Sequence, residues 1–92
     1  MTNLKELRNK IDKIDKTIML AIKARFELVQ KVADFKNQNS LPIEDNNRVL
    51  EVLNSRLALA EKLDLEPELI KTIFKEIIEA CTNYQKIILN QK

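Results

Sequence analysis

From Leu4 to Phe35 the residues Leu4, Leu7, Ile11, Ile14, Ile18, Ala21, Leu28, Val32 and Phe35 recur at spacings built from threes and fours. An α-helix turns once every ~3.6 residues, so this spacing lines them along one side of a single helix from about residue 3 to residue 38. At ~1.5 Å per residue that helix is roughly 52 Å long, whereas a compact domain of this length is only about 30 Å across. It must overhang the rest of the chain. The stripe stays apolar along the overhang from Leu4 to Ile18, and one short second helix cannot cover all of it. An interwoven homodimer is therefore expected, because a long monomeric hairpin would leave the stripe in water.

The remainder of the chain contains no glycine, and its two prolines, Pro42 and Pro67, divide the sequence into three segments rich in Leu, Ile, Lys and Glu. That composition suits helices and no strand. The polar stretch "NQNSLPIED" reads as a turn, with Asp45 placed to cap the next helix or to sit in its first turn. The second helix is expected from about Asp45 to Leu63, with Leu50, Leu53, Leu57 and Ala60 on one side. "DLEP" then breaks the chain, and Pro67 fits the first turn of a third helix whose buried face is marked by Ile70, Phe74, Ile77, Cys81, Tyr84 and Ile88. The fold class expected is all-α, with three helices in one domain over residues 1–92 and two such chains intertwined.

Several function classes drop out. Histidine is absent and Cys81 is the single cysteine, which removes internal disulfides, structural zinc, Ser-His-Asp and Cys-His chemistry, and histidine acid–base catalysis. Carboxylates, Lys, Arg, amides and hydroxyls are left as reagents, with no metal and no cofactor expected. A net charge of +2 is too weak a field to argue for nucleic acid or an anionic membrane. Basic residues are interleaved with acids, and the aromatics form no stacking platform. The opening "MTNLKELRNK" lacks the apolar core of a signal peptide, and no apolar run approaches the ~20 residues of a membrane helix, so a soluble cytoplasmic protein is expected.

One seam position is not apolar. Arg25 stands where a leucine belongs, and its helical neighbours Ala21, Ile22, Leu28 and Val29 offer no counter-charge. Burying a guanidinium alone costs several kcal/mol, so it needs a partner from elsewhere. Lys36, eleven residues on, points within roughly 20° of Arg25 at about 16 Å along the axis. Two cations on one apolar face describe a wall suited to gripping an anion. Arg8 lies roughly 100° off that face and about 25 Å away, too far to serve the same small ligand in its own chain, yet placed to complete the pocket of a second copy. Plainer roles stand beside these. Arg8 has Asp12 at i+4 as a surface partner, Lys36 sits favourably at a helix C-terminus, and Arg25 has the option of pairing with an acid of another helix or chain.

At "LRNKIDKIDKTI…KARFELVQKVADFK…LPIEDNNR…IFKEIIEACTNYQ" the sequence resembles the all-helical (type II) chorismate mutase family over nearly its whole length. The resemblance implies a three-helix chain in an intertwined dimer that rearranges chorismate, a dicarboxylate carrying an enolpyruvyl ether, to prephenate in aromatic amino acid biosynthesis. It implies that Arg8 crosses into the partner's site and that Arg25 and Arg48 line the pocket of their own chain with Lys36, Asp45 and Gln85. Lys36 and Gln85 would donate to the ether oxygen, Arg8 and Arg25 would clamp carboxylates, Arg48 would add positive potential, and Asp45 would help position the ring hydroxyl. Gln85, Asp45 and Arg48 each have an ordinary alternative: Gln85 as an interhelical hydrogen bonder, Asp45 as a helix cap, and Arg48 as the ion-pair partner of Asp45.

Two positions depart from the family's pattern. Val49 stands where a glutamate that bonds the ring hydroxyl is usual, and Cys81 where a serine near a carboxylate is common. "RV" at this place resembles isochorismate-pyruvate lyases built on the same scaffold, which makes the lyase the competing activity. Cys81 is expected to pack rather than react, with no Lys, Arg or helix start next to it. A third reading, a helical dimerisation module without catalysis, accounts for the seam but leaves Arg25 and Lys36 without a purpose.

Overall fold

The structure is a computed structural model that describes residues 3–90, so residues 1, 2, 91 and 92 of the domain lie outside the described residues. Three helices follow one another, α1 over Leu4–Gln38, α2 over Asn46–Lys62 and α3 over Pro67–Asn90, and no strand occurs among the described residues. Each begins and ends for local reasons. Asn3 caps α1 by accepting from the Glu6 backbone N–H at 2.9 Å, and Asp45 caps α2 by accepting from the Arg48 N–H at 3.1 Å. Pro67 opens α3, where a missing N–H costs nothing.

The helix exits are solved without glycine. After α1, Ser40 takes a left-handed φ of 54°, and the Leu41 N–H bonds the Lys36 carbonyl at 2.8 Å. After α2, Asp64 at φ 55° does the same, with the Leu65 N–H on the Ala60 carbonyl at 2.9 Å. Both are Schellman closures, in which an αL residue lets the chain fold back onto its own last turn. A short polar side chain is the next best occupant of αL after glycine for Asp64, and Ser40 is a less favoured one.

α3 is the centre of the chain and packs against both other helices. Phe26 of α1 meets Tyr84 of α3 edge-on, with ring centroids 5.1 Å apart, and the Arg56 guanidinium of α2 lies 5.7 Å from the Phe74 ring centre. The face expected on α3 is the one that packs: Cys81 is buried, and Ile70, Phe74, Ile77, Tyr84 and Ile88 are half-buried. On α2 most of the expected face packs, Ala60 being buried and Leu53 and Leu57 half-buried. Val52 is buried with Ala60, whereas Leu50 is 59 % exposed, so Leu50 does not belong to this core.

On α1 the seam and the core are different faces. Its inward contacts are Phe26, Val29 and Ala33, while Leu28, Val32 and Phe35 remain exposed. Neighbouring residues differ by ~100° around a helix, so α3 covers one flank of the stripe and leaves its crest open. Along the first half of α1 the stripe is equally bare, with Leu4, Leu7, Ile11, Ile14 and Ile18 each 47–60 % exposed. The described chain measures 58 × 28 × 15 Å with a radius of gyration of 16.7 Å. A compact chain of this length has a radius near 12 Å, which confirms the expected overhang.

Candidate active site

Where α1, α2 and α3 converge they enclose a cleft of about 200 Å³, open on one side. Its apolar wall is made by Val29, Val32, Ile43, Val52 and Ile78. The polar groups set into that wall come from every element: Arg25 and Lys36 from α1, Asp45 from the connecting loop, Arg48 from α2, and Cys81, Thr82 and Gln85 from α3. The spacing explains the convergence. Eleven residues return Lys36 to the side of Arg25, and Ile78, Cys81, Thr82 and Gln85 stand at i, i+3, i+4 and i+7 on one face of α3.

The two α1 cations are answered by neutral groups. The Arg25 Nη1 donates to the Cys81 Sγ at 2.8 Å. Lys36 Nζ donates to the Ile43 carbonyl at 2.7 Å and to Gln85 Oε1 at 3.2 Å. An ammonium has three N–H donors, so these two contacts leave one for a ligand and fix its direction. The same contact orients Gln85. Its carbonyl oxygen turns to the ammonium, and its amide N–H groups are left to donate. Gln85 is only 7 % exposed, so the interhelical hydrogen bond expected of it and a place in the cleft coexist in one side chain.

The remaining candidates divide. Asp45 is a helix cap, as its position suggested, and also lines the cleft. Arg48 does not pair with Asp45. Its side chain pairs with Glu51, one turn further along α2, and both are largely exposed, a kind of contact that holds a side chain only weakly. Val49 lines the cleft with a side chain that accepts no hydrogen bond. Cys81 is buried as expected, but the expectation that no cation lies beside it is corrected: the tertiary fold brings the Arg25 guanidinium against its sulfur, a contact 56 residues apart in sequence. Arg8 is exposed on the overhang, makes no pair with Asp12, and is not among the residues around the cleft.

Sequence reasoning missed the Ile43 carbonyl, because a backbone acceptor leaves no mark in side-chain identity. It also missed Thr82, for which the i+4 relation to Ile78 was the available signal. The loop carrying Ile43 is tied to α3 outside the cleft, where Glu44 Oε1 accepts from Lys86 Nζ at 2.7 Å. That hydrogen bond and the lysine's charge hold the Glu44 carboxyl below the usual glutamate range. Among the described residues no group of His, Cys, Asp and Glu is arranged to hold a metal ion, and no helix is long and apolar enough to cross a membrane. A cationic, mostly apolar cleft with a spare ammonium donor suits a small anion with an apolar body.

Comparison with known proteins agrees. The family model for chorismate mutase type II matches residues 7–86. A chorismate mutase of Methanocaldococcus jannaschii is 33% identical over 88 residues, covering 96% of this chain and 89% of its own length. A bifunctional chorismate mutase/prephenate dehydratase of Aquifex aeolicus is 33% identical over 91 residues, 96% of this chain but 25% of the relative, so this chain spans about a quarter of that protein's length. A secreted chorismate mutase of Yersinia pestis is 39% identical over 64 residues, 70% of this chain and 34% of the relative.

Proposed function

The chain belongs to the type II chorismate mutase family, and we propose that it is an isomerase that rearranges chorismate to prephenate in a site shared between two copies. The observation that carries this reading is the cleft's charge arrangement: Arg25 and Lys36 converge there and make their hydrogen bonds to sulfur, a carbonyl and an amide. A substrate carboxylate is the counter-charge that answers the arginine in the seam.

The chemistry needs little else. In this rearrangement a carbon–oxygen bond breaks as a carbon–carbon bond forms, with no nucleophile from the protein and no proton transfer, so a site without histidine loses nothing. What accelerates it is restraint of a flexible substrate and stabilisation of negative charge building on the ether oxygen. Lys36 and Gln85 supply those donors, pre-aligned by their mutual hydrogen bond. Arg25 grips a carboxylate with a planar fork, Arg48 leaves its exposed contact with Glu51 to add a second positive group, and Asp45 approaches the ring hydroxyl. Cys81 acts beside the same carboxylate through Arg25.

Arg8 enters from the partner chain. The overhang supports this: five half-exposed aliphatic residues on the first half of α1 gain on the order of 5 kcal/mol per chain when a second copy covers them. A homodimer places the beginning of one α1 near the middle of the other. The reading implies a soluble cytoplasmic enzyme acting on a small molecule in aromatic amino acid biosynthesis.

Val49 favours a second reading. With no acceptor for a ring hydroxyl at that wall, isochorismate-pyruvate lyase activity on the same scaffold is the alternative. Chorismate and isochorismate are supplied separately to the purified protein and the products identified by proton NMR. Prephenate formed far above the spontaneous rate is the expected result; salicylate and pyruvate from isochorismate, with little prephenate, would replace the mutase by the lyase.

A further inference from the structure

The loop between α1 and α2 is joined to α3 in two places side by side, once through the Lys36 ammonium and once directly. Inside the cleft, the Ile43 carbonyl and Gln85 Oε1 share the Lys36 ammonium; outside it, the next residue on each strand of the chain, Glu44 and Lys86, form an ion pair at 2.7 Å. We propose that Glu44 and Lys86 are a positioning pair, which holds the loop against α3 and so keeps the Ile43 carbonyl on the Lys36 ammonium. The inference rests on the reading that Lys36 donates to the substrate's ether oxygen.

The geometry leaves few other restraints. The loop is bonded at its ends, by the Leu41 N–H on the Lys36 carbonyl and by the Asp45 cap on α2, and Glu44–Lys86 ties the residue between Ile43 and that cap across to the third helix. Without that tie, a small outward shift removes one of the two acceptors that aim the ammonium. Lys36 then keeps its charge but loses its direction, and direction is what a donor to a developing oxyanion must have. Glu44 and Lys86 are both substantially exposed, so the pair contributes little to folding stability. Its weight falls on the turnover step.

A bare field effect makes the opposite forecast. Glu44 is an acid near a cleft for an anion, so Glu44→Gln would raise the affinity for a dianion and Lys86→Gln would lower it. The pairing model has both substitutions act in the same direction. Glu44→Gln, Lys86→Gln, Glu44→Lys, Lys86→Glu and the double exchange Glu44→Lys/Lys86→Glu are measured for kcat and KM on chorismate, for Tm, and for proton exchange of the Lys36 ammonium by 15N NMR.

Each single change is expected to lower kcat about 3- to 5-fold with KM and Tm nearly unchanged and to hasten ammonium exchange, and the double exchange to restore both. Single changes that move in opposite directions, or a double exchange no better than the singles, would overturn the proposal. Should the native protein fail to convert chorismate, the proposed reaction falls and the ammonium signal alone decides: faster exchange in the singles with recovery in the double exchange supports the positioning pair, and any other pattern rejects it.

Discussion

The two halves of α1 share one sequence pattern, with the stripe about half in water along both, and differ in the flank beside it, which only the second half packs. From Arg25 onward the helix is packed against α3 by Phe26, Val29 and Ala33, and its Arg25 and Lys36 are drawn into the cleft. From Leu4 to Ile18 the same three-and-four spacing continues, and those apolar residues stand half in water. Periodicity therefore reports that a face is to be buried but not by what. In the proposed enzyme the first half would carry assembly and the second chemistry, and Arg8, a cation on the first half, would be the point where the two roles meet.

The comparison breaks most sharply at its cations. Arg25→Leu is expected to lower kcat/KM about 100- to 1,000-fold while leaving stability unchanged or raised, since it removes a partly buried charge from an apolar seam. Arg8→Ala is expected to lose a similar factor although it is far from the cleft of its own chain. Mixing the two inactive variants after unfolding and refolding tests the sharing directly. A mixed dimer pairs an intact Arg25 with an intact Arg8 in one of its sites, so activity returns if the sites are shared. No recovery would place Arg8 in a site of its own chain or in none.

Apolar substitutions separate the halves next. Ile14→Asn on the bare half removes about 1 kcal/mol of apolar burial if a partner covers it and puts a polar amide in its place, and should shift sedimentation from dimer toward monomer as the protein is diluted. Ala33→Leu on the packed half, at a residue with no exposed surface, overfills the α1–α3 contact and should lower Tm by an amount corresponding to ~1–3 kcal/mol without changing the assembly. A dimer untouched by Ile14→Asn would mean that another surface joins the chains. Within the cleft, Val49→Glu is expected to raise kcat/KM for chorismate by about tenfold, the scale of one hydrogen bond to a charged group. Unchanged kinetics would mean that the ring hydroxyl is already satisfied, with Asp45 the nearest acceptor.

What could be read from the sequence follows the same division. The helices, their boundaries near the two prolines, and the inward face of α3 were legible because they follow from composition and period. Arg25 and Lys36 were legible because a charge in an apolar stripe demands an explanation, and their eleven-residue spacing is a geometric statement. Leu50 misled, because α2 carries apolar residues on two sides and a short helix gives the period too few turns to choose. The Cys81 sulfur against Arg25 was invisible because it depends on how far α3 slides along α1, and the Ile43 carbonyl on Lys36 because a backbone acceptor leaves no mark in side-chain identity.

The smallest expected effects lie at the two ends of α1. Asn3→Ala removes the acceptor of the Glu6 N–H and should destabilise by about 1 kcal/mol, felt in the bare half and therefore larger in dilute protein, where fewer copies are paired. At the other end, Ser40 holds a left-handed φ of 54°, a conformation costing an ordinary residue roughly 1–2 kcal/mol and glycine almost nothing. Ser40→Gly relieves that strain but also frees the unfolded chain, which opposes it by ~0.4–1 kcal/mol. The difference leaves a stabilisation of between zero and about 1.5 kcal/mol, read as a small rise in Tm. A fall instead would mean that the Ser40 side chain contributes more to the turn than its backbone strain takes away, and that the exit of α1 is held from outside the helix.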